Sequence, residues 1–332
     1  MGAAGAAACS RRPRLNVYNW SDYVAPDTIA NFEHETGIEV RYGTYESVPE
    51  MLAKVMSGNS GWDVVFPSAE YIRPMQEMGL LAPLRSEKLP HLDALEASFR
   101  HPPWDRDLRW SVSYMWGVTG IVYQTALHTP PESWRDLWDG RLAGKITMLD
   151  DPPEVLGACL QMLGYSLNSS RPAELAQAQR EAIDQKHLVR AYLNAEARDQ
   201  LVAGDVAAAQ AWAVTAAQAI QAAPGKLAFS FPRESFARFA DTMAILRESH
   251  RQEAAHSFID YLLRPDVSAK IAIAVQTATA NGTAHALLPP ALRDNPVLYP
   301  PPETLARSEW FEAQSAASQR LRDRLWTEIK SA

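Results

Sequence analysis

Leu15-Asn16-Val17-Tyr18-Asn19-Trp20, Ile38-Glu39-Val40-Arg41-Tyr42 and Trp62-Asp63-Val64-Val65-Phe66 are the three runs that decide the fold class. The first two alternate apolar and polar residues, as half-buried strands do. The third is continuously apolar around Val64, the mark of a strand covered on both faces. Two helical segments stand between them. One opens at Asp27 behind Pro26 and stops at Gly37; the other covers Val48–Ser57 and stops at Gly58. Strand, helix, strand, helix, strand in one stretch predicts an α/β fold with a largely parallel sheet. Ser68 is expected to cap a further helix over Glu70–Met78. Ligands of such sheets sit beyond the C-terminal strand ends, which places Trp20–Tyr23 and Ser68–Tyr71 at a mouth.

The same grammar recurs downstream. Gly144–Leu149 reads as a strand, and Asp150-Asp151-Pro152-Pro153-Glu154 opens a helix to Leu163, with prolines and carboxylates suited to its first turn. Asp205–Trp212 is expected as a strand before an Ala-rich helix ending at Ala223. Leu227–Phe231 and Asp241–Leu246 are read as strands, and Glu253–Leu263, Val267–Val275 and an interrupted Leu305–Ile329 as helices. The chain therefore carries two α/β units, and a ligand between them would touch residues from distant strand ends.

Composition narrows the chemistry. The 332 residues are 47% hydrophobic and 21% charged, as in ordinary globular proteins, and no apolar run reaches the ~18 residues of a membrane span. A net charge of −7 argues against nucleic acid as a partner and leaves room for a cationic one. Two cysteines, Cys9 and Cys159, make neither a disulfide framework nor a zinc site, and no metal or other cofactor is expected. The small-residue stretch before Cys9 is set apart from the fold. It reads as the remnant of an export signal or of a lipoprotein site at Cys9, against a plain cytoplasmic tail.

Catalytic signatures are missing: no G-x-S-x-G, P-loop, dinucleotide glycine fingerprint or H-E-x-x-H occurs, and the 8 histidines are scattered. What stands out is 10 tryptophans. Trp20, Tyr23, Trp212 and Phe239 are all placed at strand ends, beside Asp22, Thr215 and Asp241. Aromatic faces hold an ammonium by roughly 0.5–2 kcal/mol per contact. Carboxylates at both ends of such a box measure the distance between two amines. From the residues alone, a box for a linear diamine competes with ordinary structural roles for the same side chains.

Several motifs, in order, resemble the periplasmic spermidine- and putrescine-binding proteins. They are Asn19-Trp20-Ser21-Asp22-Tyr23, Trp62–Ser68, Tyr114-Met115-Trp116-Gly117-Val118-Thr119-Gly120, Leu149-Asp150-Asp151-Pro152, Phe239–Ala244, Tyr261–Val267 and Tyr299-Pro300-Pro301. The first and fourth are closer to the putrescine-binding branch. The resemblance implies a two-lobe, type II periplasmic-binding-protein fold, each lobe a mixed, mostly parallel sheet flanked by helices. It implies a monomeric, non-catalytic receptor that closes by hinge motion on one polyamine and delivers it to the membrane permease of an ABC importer. Putrescine is favoured and spermidine next. By the same resemblance Trp20 is an aromatic wall, Asp22 an amine-binding acid, and Ser21, Tyr23 and Ser68 polar lining. Glu154 and Asp151 are the acids of the second lobe, Trp212 and Phe239 stacking rings, and Asp241 the ammonium anchor.

Departures from the family pattern bear on ligand choice. Thr277 stands where a tyrosine is usual, Glu70 where a small polar residue or tyrosine is, and Phe311 near a usual glutamine. Ala213-Val214-Thr215 lacks the usual glycine. Agmatine or cadaverine, a sensor rather than a transport role, a different importer cargo and an enzyme on the same scaffold are the alternatives. Lobe one is expected over 15–115 and 242–286, and lobe two over 116–241 and 287–332. Hinge crossovers are expected near 116–120 and 239–243, and residues 1–14 are read as a tail.

Overall fold

The computed structural model describes residues 13–332, so the tail reading and the Cys9 reading fall outside the described residues except at Pro13 and Arg14. Arg14 already belongs to strand β1 (Arg14–Trp20). It pairs in parallel with β2 (Glu39–Tyr45) on one side and β3 (Val64–Val65) on the other. Its alternation suggests a half-buried strand, but β1 lies inside the sheet and is buried on both faces from Leu15 to Asn19: Leu15 and Val17 pack in one cluster with Phe32 of the helix Thr28–Thr36, and Tyr18 in another. That helix ends at Gly37 in the left-handed conformation (φ 70°), as its sequence foretold.

A second parallel set forms downstream, where β5 (Ile146–Met148) lies between β6 (Val189–Tyr192) and β7 (Ala208–Trp212). Two long antiparallel strands join the sets: β4 (Val112–Gln124) and β9 (Phe236–Ile245) pair from Val112↔Met243 to Val118↔Arg238. β3 pairs with the end of β9, and β7 with the end of β4, giving the order β2-β1-β3-β9-β4-β7-β5-β6. The fold is therefore α/β, with parallel sheets on both sides of a crossing pair. β8 (Leu227–Ser230) and β10 (Ala278–Thr279) add to β4, and β11 (Ser308–Trp310) to β9.

Several elements differ from the sequence expectations. β4 was not read as a strand, because its first eleven residues are buried on both faces and show no alternation. Its glycines are spatial necessities: a Cβ at Gly117 would stand 2.6 Å from the Phe239 ring, and one at Gly120 2.6 Å from the Ser230 carbonyl. β6, β11 and the helices Pro172–Lys186 and Ala197–Ala203 were also missed. The helix Pro172–Lys186 did carry a signal, Pro172 at its start and the buried stripe Leu175, Ala178 and Ala182. Phe239 is not at a strand end but in the middle of β9, because β9 runs on through the crossover. Ser68 caps nothing: after it come a single 3₁₀ turn, Ala69–Tyr71, and a helix over Ile72–Glu77, and its hydroxyl is used elsewhere.

The C-terminal helix Ala316–Ser331 packs on the helices Pro152–Met162 and Pro172–Lys186. Buried Arg322 ties it down by donating from Nη2 to the carbonyls of Leu167 (2.8 Å) and Ser169 (2.9 Å).

Candidate ligand-binding site

Asp241 lies in β9 opposite Met115 of β4, and a bridge pairs it with Ser68, just beyond the end of β3. Its side chain points away from that of its neighbour Ala240 and to the same face as Phe239. Tyr23, in the turn after β1, donates its hydroxyl to Asp241 Oδ2 (2.8 Å), and Ser68 donates Oγ to Oδ1 (2.9 Å). Tyr23 is itself held by Tyr114 of β4, whose hydroxyl donates to the Tyr23 carbonyl at 2.7 Å. The ends of β1 and β3 thus meet on one carboxyl, and β4 braces the first of them. Asp241 is only 6% exposed, and burial pushes it up to about 6 against the lowering effect of its two donors.

On the other side of the crossover, β5 ends and Asp151 caps the helix Pro152–Met162 by accepting the Glu154 N–H at 3.2 Å. The capping role read from the sequence holds, and it aims Glu154 inward. Glu154 Oε1 accepts from Thr119 Oγ1 (2.7 Å) and Trp212 Nε1 (2.8 Å), and these donors are register partners on β4 and β7. Glu154 is 4% exposed, and burial, then Asp151, raises it; burial raises Asp151 as well. Asp150 points elsewhere, into a pair with Lys330 at 2.8 Å on the C-terminal helix.

Glu70, on the turn after Ser68, is pushed up to about 8 by burial, with further contributions from Asp241 and Asp151. Asp241, Glu70, Asp151 and Glu154 form a string of acids crossing from one parallel sheet to the other. Among the described residues no lysine, arginine or histidine nitrogen lies within 4.0 Å of any of them, and no three acids converge as metal ligands would. Two surface depressions of about 600 and 660 Å³ lie elsewhere, around Trp110 and around Gln161.

Aromatic rings flank the string. Trp20 leans on Tyr45 (centroids 4.7 Å), and both donate to the Phe66 carbonyl, at 2.9 and 2.6 Å. Trp212 and Phe239 meet edge to face at 6.5 Å. Their rings are half-buried, which leaves surface for a ligand.

The remaining expected residues are placed less centrally. Ser21 turns its hydroxyl to Glu46, and Asp22 is exposed in a left-handed turn (φ 52°). Thr215 is buried in the first turn of the helix Ala213–Ala222. Thr277 is buried just before β10, its N–H donating to the Ala272 carbonyl at 3.3 Å. Phe311 donates its N–H to the Arg238 carbonyl at 3.1 Å, and its ring reaches to 4.0 Å from where a Gly157 Cβ would stand, one turn beyond Glu154. Thr119, Tyr114 and Tyr45 were not foreseen as parts of the site. Thr119 and Tyr114 lie inside the unread strand β4, and Tyr45 ends β2, beyond the run Ile38–Tyr42 read as its strand.

A string of acids without a basic partner, at the crossover between two parallel sheets, agrees with what comparison finds. Residues 27–298 match the model of the bacterial extracellular solute-binding proteins. The chain belongs to that family. Relatives of this solute-binding protein include the putrescine-binding periplasmic protein PotF of Escherichia coli, 33% identical over 341 residues that cover 96% of this chain and 91% of that one. The spermidine/putrescine-binding periplasmic protein of the same organism is 33% identical, covering 92% of this chain and 88% of that one. A solved structure described as a putative spermidine/putrescine ABC transporter from Listeria monocytogenes superposes with a TM-score of 0.92, at 31% identity and 96% and 98% coverage. The two-lobe periplasmic-binding-protein fold expected from the sequence is therefore the fold of this solute-binding protein. No described helix is long and apolar enough to cross a membrane.

Proposed function

We propose that this protein captures a linear polyamine of the putrescine–spermidine class in the cleft and hands it to the membrane permease of an ABC importer. The observation that carries the reading is the string of four acids with no basic partner, Asp241 and Glu154 buried and Glu70 and Asp151 half-buried, flanked by half-buried aromatic rings. Burying uncompensated carboxylates costs several kcal/mol, and an ammonium at each end offsets that cost with charge-assisted bonds. In this reading Asp241 anchors one terminal ammonium, oriented by Tyr23 and Ser68. Glu154 and Asp151 take the other, and Trp20, Trp212 and Phe239 cover the methylenes between them. The relatives' names, which specify putrescine or spermidine, support the same cargo.

The lobes in this reading are 15–115 with 242–286, and 116–241 with 287–332, and β4 and β9 serve as the hinge. In this reading the protein acts as a monomer in the periplasm and transforms nothing, as the names of its relatives, which are binding proteins, support. The test is a calorimetric and thermal-shift screen of putrescine, cadaverine, agmatine, spermidine and spermine at low and high salt. Saturable binding of one of them is expected; no binding by any overturns the reading.

A further inference from the structure

Beyond the C-terminal end of β9, outside the acid string, a depression of about 600 Å³ opens around Trp110. Main-chain pairing builds its walls. Leu81 is bridged to Leu246, the Arg247 N–H donates to the Leu80 carbonyl at 2.8 Å, and the Leu84 N–H donates to the Arg109 carbonyl at 2.6 Å. Buried Leu81, Pro83 and the half-buried Trp110 ring give it an apolar lining.

The charges around this lining are mostly of one sign. Arg85 and Arg247 both line the depression, and Arg109 lies over the Trp110 ring with its Cζ 5.1 Å from the centroid. Glu253 is the one acid among the lining residues, and it is already engaged by Arg85 Nη2 at 2.6 Å and Lys88 Nζ at 3.2 Å. Glu248, next to Arg247 in the chain, turns away to accept the Ser60 N–H at 2.9 Å. Among the described residues no carboxylate oxygen lies within 4.0 Å of the Arg247 guanidinium. That guanidinium nevertheless has a seat. It rests against Gly79, in the left-handed region (φ 67°), where a Cβ would stand 2.8 Å from Arg247 Nη1. In a chain of net charge −7, an unpaired guanidinium seated beside an apolar lining reverses the sign locally.

We propose that this depression is a second binding site, separate from the acid string, and that it takes an organic oxyanion with an apolar body. The planar fork of a guanidinium matches carboxylate and phosphate oxygens alike, so Arg247 receives the anionic group with Arg85 beside it. The apolar body lies on Trp110 and Leu81. The volume falls within the roughly 300–1,000 Å³ of small-molecule sites, and a mostly apolar lining with a few polar groups is what such sites share. The polyamine reading plays no part in this argument, since a polycation is repelled here.

The test uses benzoate and phenyl phosphate as probes, with inorganic phosphate as the charge without the body. Kd is measured by ligand-observed NMR at low ionic strength, on the full chain and its Arg247→Gln and Arg247→Lys variants. Thermal unfolding checks that each variant is folded. At least one organic probe is expected to saturate with a Kd of about 1 mM, the scale open to a ligand of so few atoms. Arg247→Gln should raise that Kd about tenfold, the scale of one charge-assisted hydrogen bond, and Arg247→Lys, which keeps the charge without the fork, should fall between. Three results overturn the proposal: no saturable binding of either organic probe, a Kd within about threefold of wild type in folded Arg247→Gln, or inorganic phosphate bound as tightly as phenyl phosphate.

Discussion

Asp241→Asn isolates the charge at the centre of the site while leaving its shape. In the native protein the carboxyl accepts from Tyr23 at 2.8 Å and Ser68 at 2.9 Å. An asparagine keeps one acceptor oxygen, and the hydroxyl facing its NH₂ rotates to accept instead, so the local framework is retained. Lost is the charge-assisted bond to an ammonium, worth about 1.5–3 kcal/mol, which corresponds to a Kd raised about tenfold to a hundredfold. Stability without ligand should move the other way. Burial pushes Asp241 from 3.8 to about 6. That rise disfavours the ionised folded state by about 3 kcal/mol at neutral pH. Asn carries no such penalty, so the variant should unfold at an equal or higher temperature than wild type at pH 7. Calorimetry with putrescine and spermidine, paired with thermal unfolding of the free protein, reads both signs. A Kd change under threefold, or a loss of both affinity and stability, would refute the assignment of Asp241 as a charge anchor held at a cost to the fold.

The same reasoning predicts a pH dependence for the free protein. Asp241, Glu70, Asp151 and Glu154 are all raised, chiefly by burial. The folded state therefore binds protons more tightly than the unfolded one, and stability falls as pH rises from about 4, the unfolded carboxyl range, through the folded values of about 6 for Asp241 and about 8 for Glu70. The unfolding midpoint should be higher at pH 5 than at pH 8, and saturating polyamine should narrow the difference; a flat profile without ligand would count against the acid string. Trp212→Phe keeps a ring against Phe239 but removes the donor to Glu154 Oε1. Polyamine Kd should rise about threefold to tenfold, the worth of one hydrogen bond, with the intrinsic fluorescence change on binding reduced. Gly117→Ala places a methyl 2.6 Å from the Phe239 ring and must push it. Overpacking of this kind costs about 1–3 kcal/mol, so a lower unfolding midpoint and weaker binding are expected together.

Much of the molecule was legible because local rules and global fold agree. Alternation at Leu15–Trp20, the apolar run at Val64 and the glycine stop at Gly37 each specify their element through side-chain period or backbone freedom alone. The helix start at Asp151-Pro152 was equally readable, since a helix start needs an acceptor whatever surrounds it. The aromatic and acidic residues proposed to line the site are visible in the sequence, but their spacing alone does not separate a site from ordinary structure.

What the sequence by itself determined, then, is the alternation of strands and helices, the absence of catalytic signatures and the identity of the acids. Tertiary structure alone decided how they combine. β4 has no period to read because it is buried on both faces, and its glycines are explained only by the rings of Phe239 and Phe229 lying over them. Ser68 looks like a helix cap until Asp241, 173 positions away, takes its hydroxyl. Thr119 and Trp212 become a pair of donors to Glu154 only because β4 and β7 set them opposite each other. Whether a carboxyl is a solvated surface charge or a desolvated ligand anchor depends on what covers it, and the cover comes from parts of the chain that no local pattern connects.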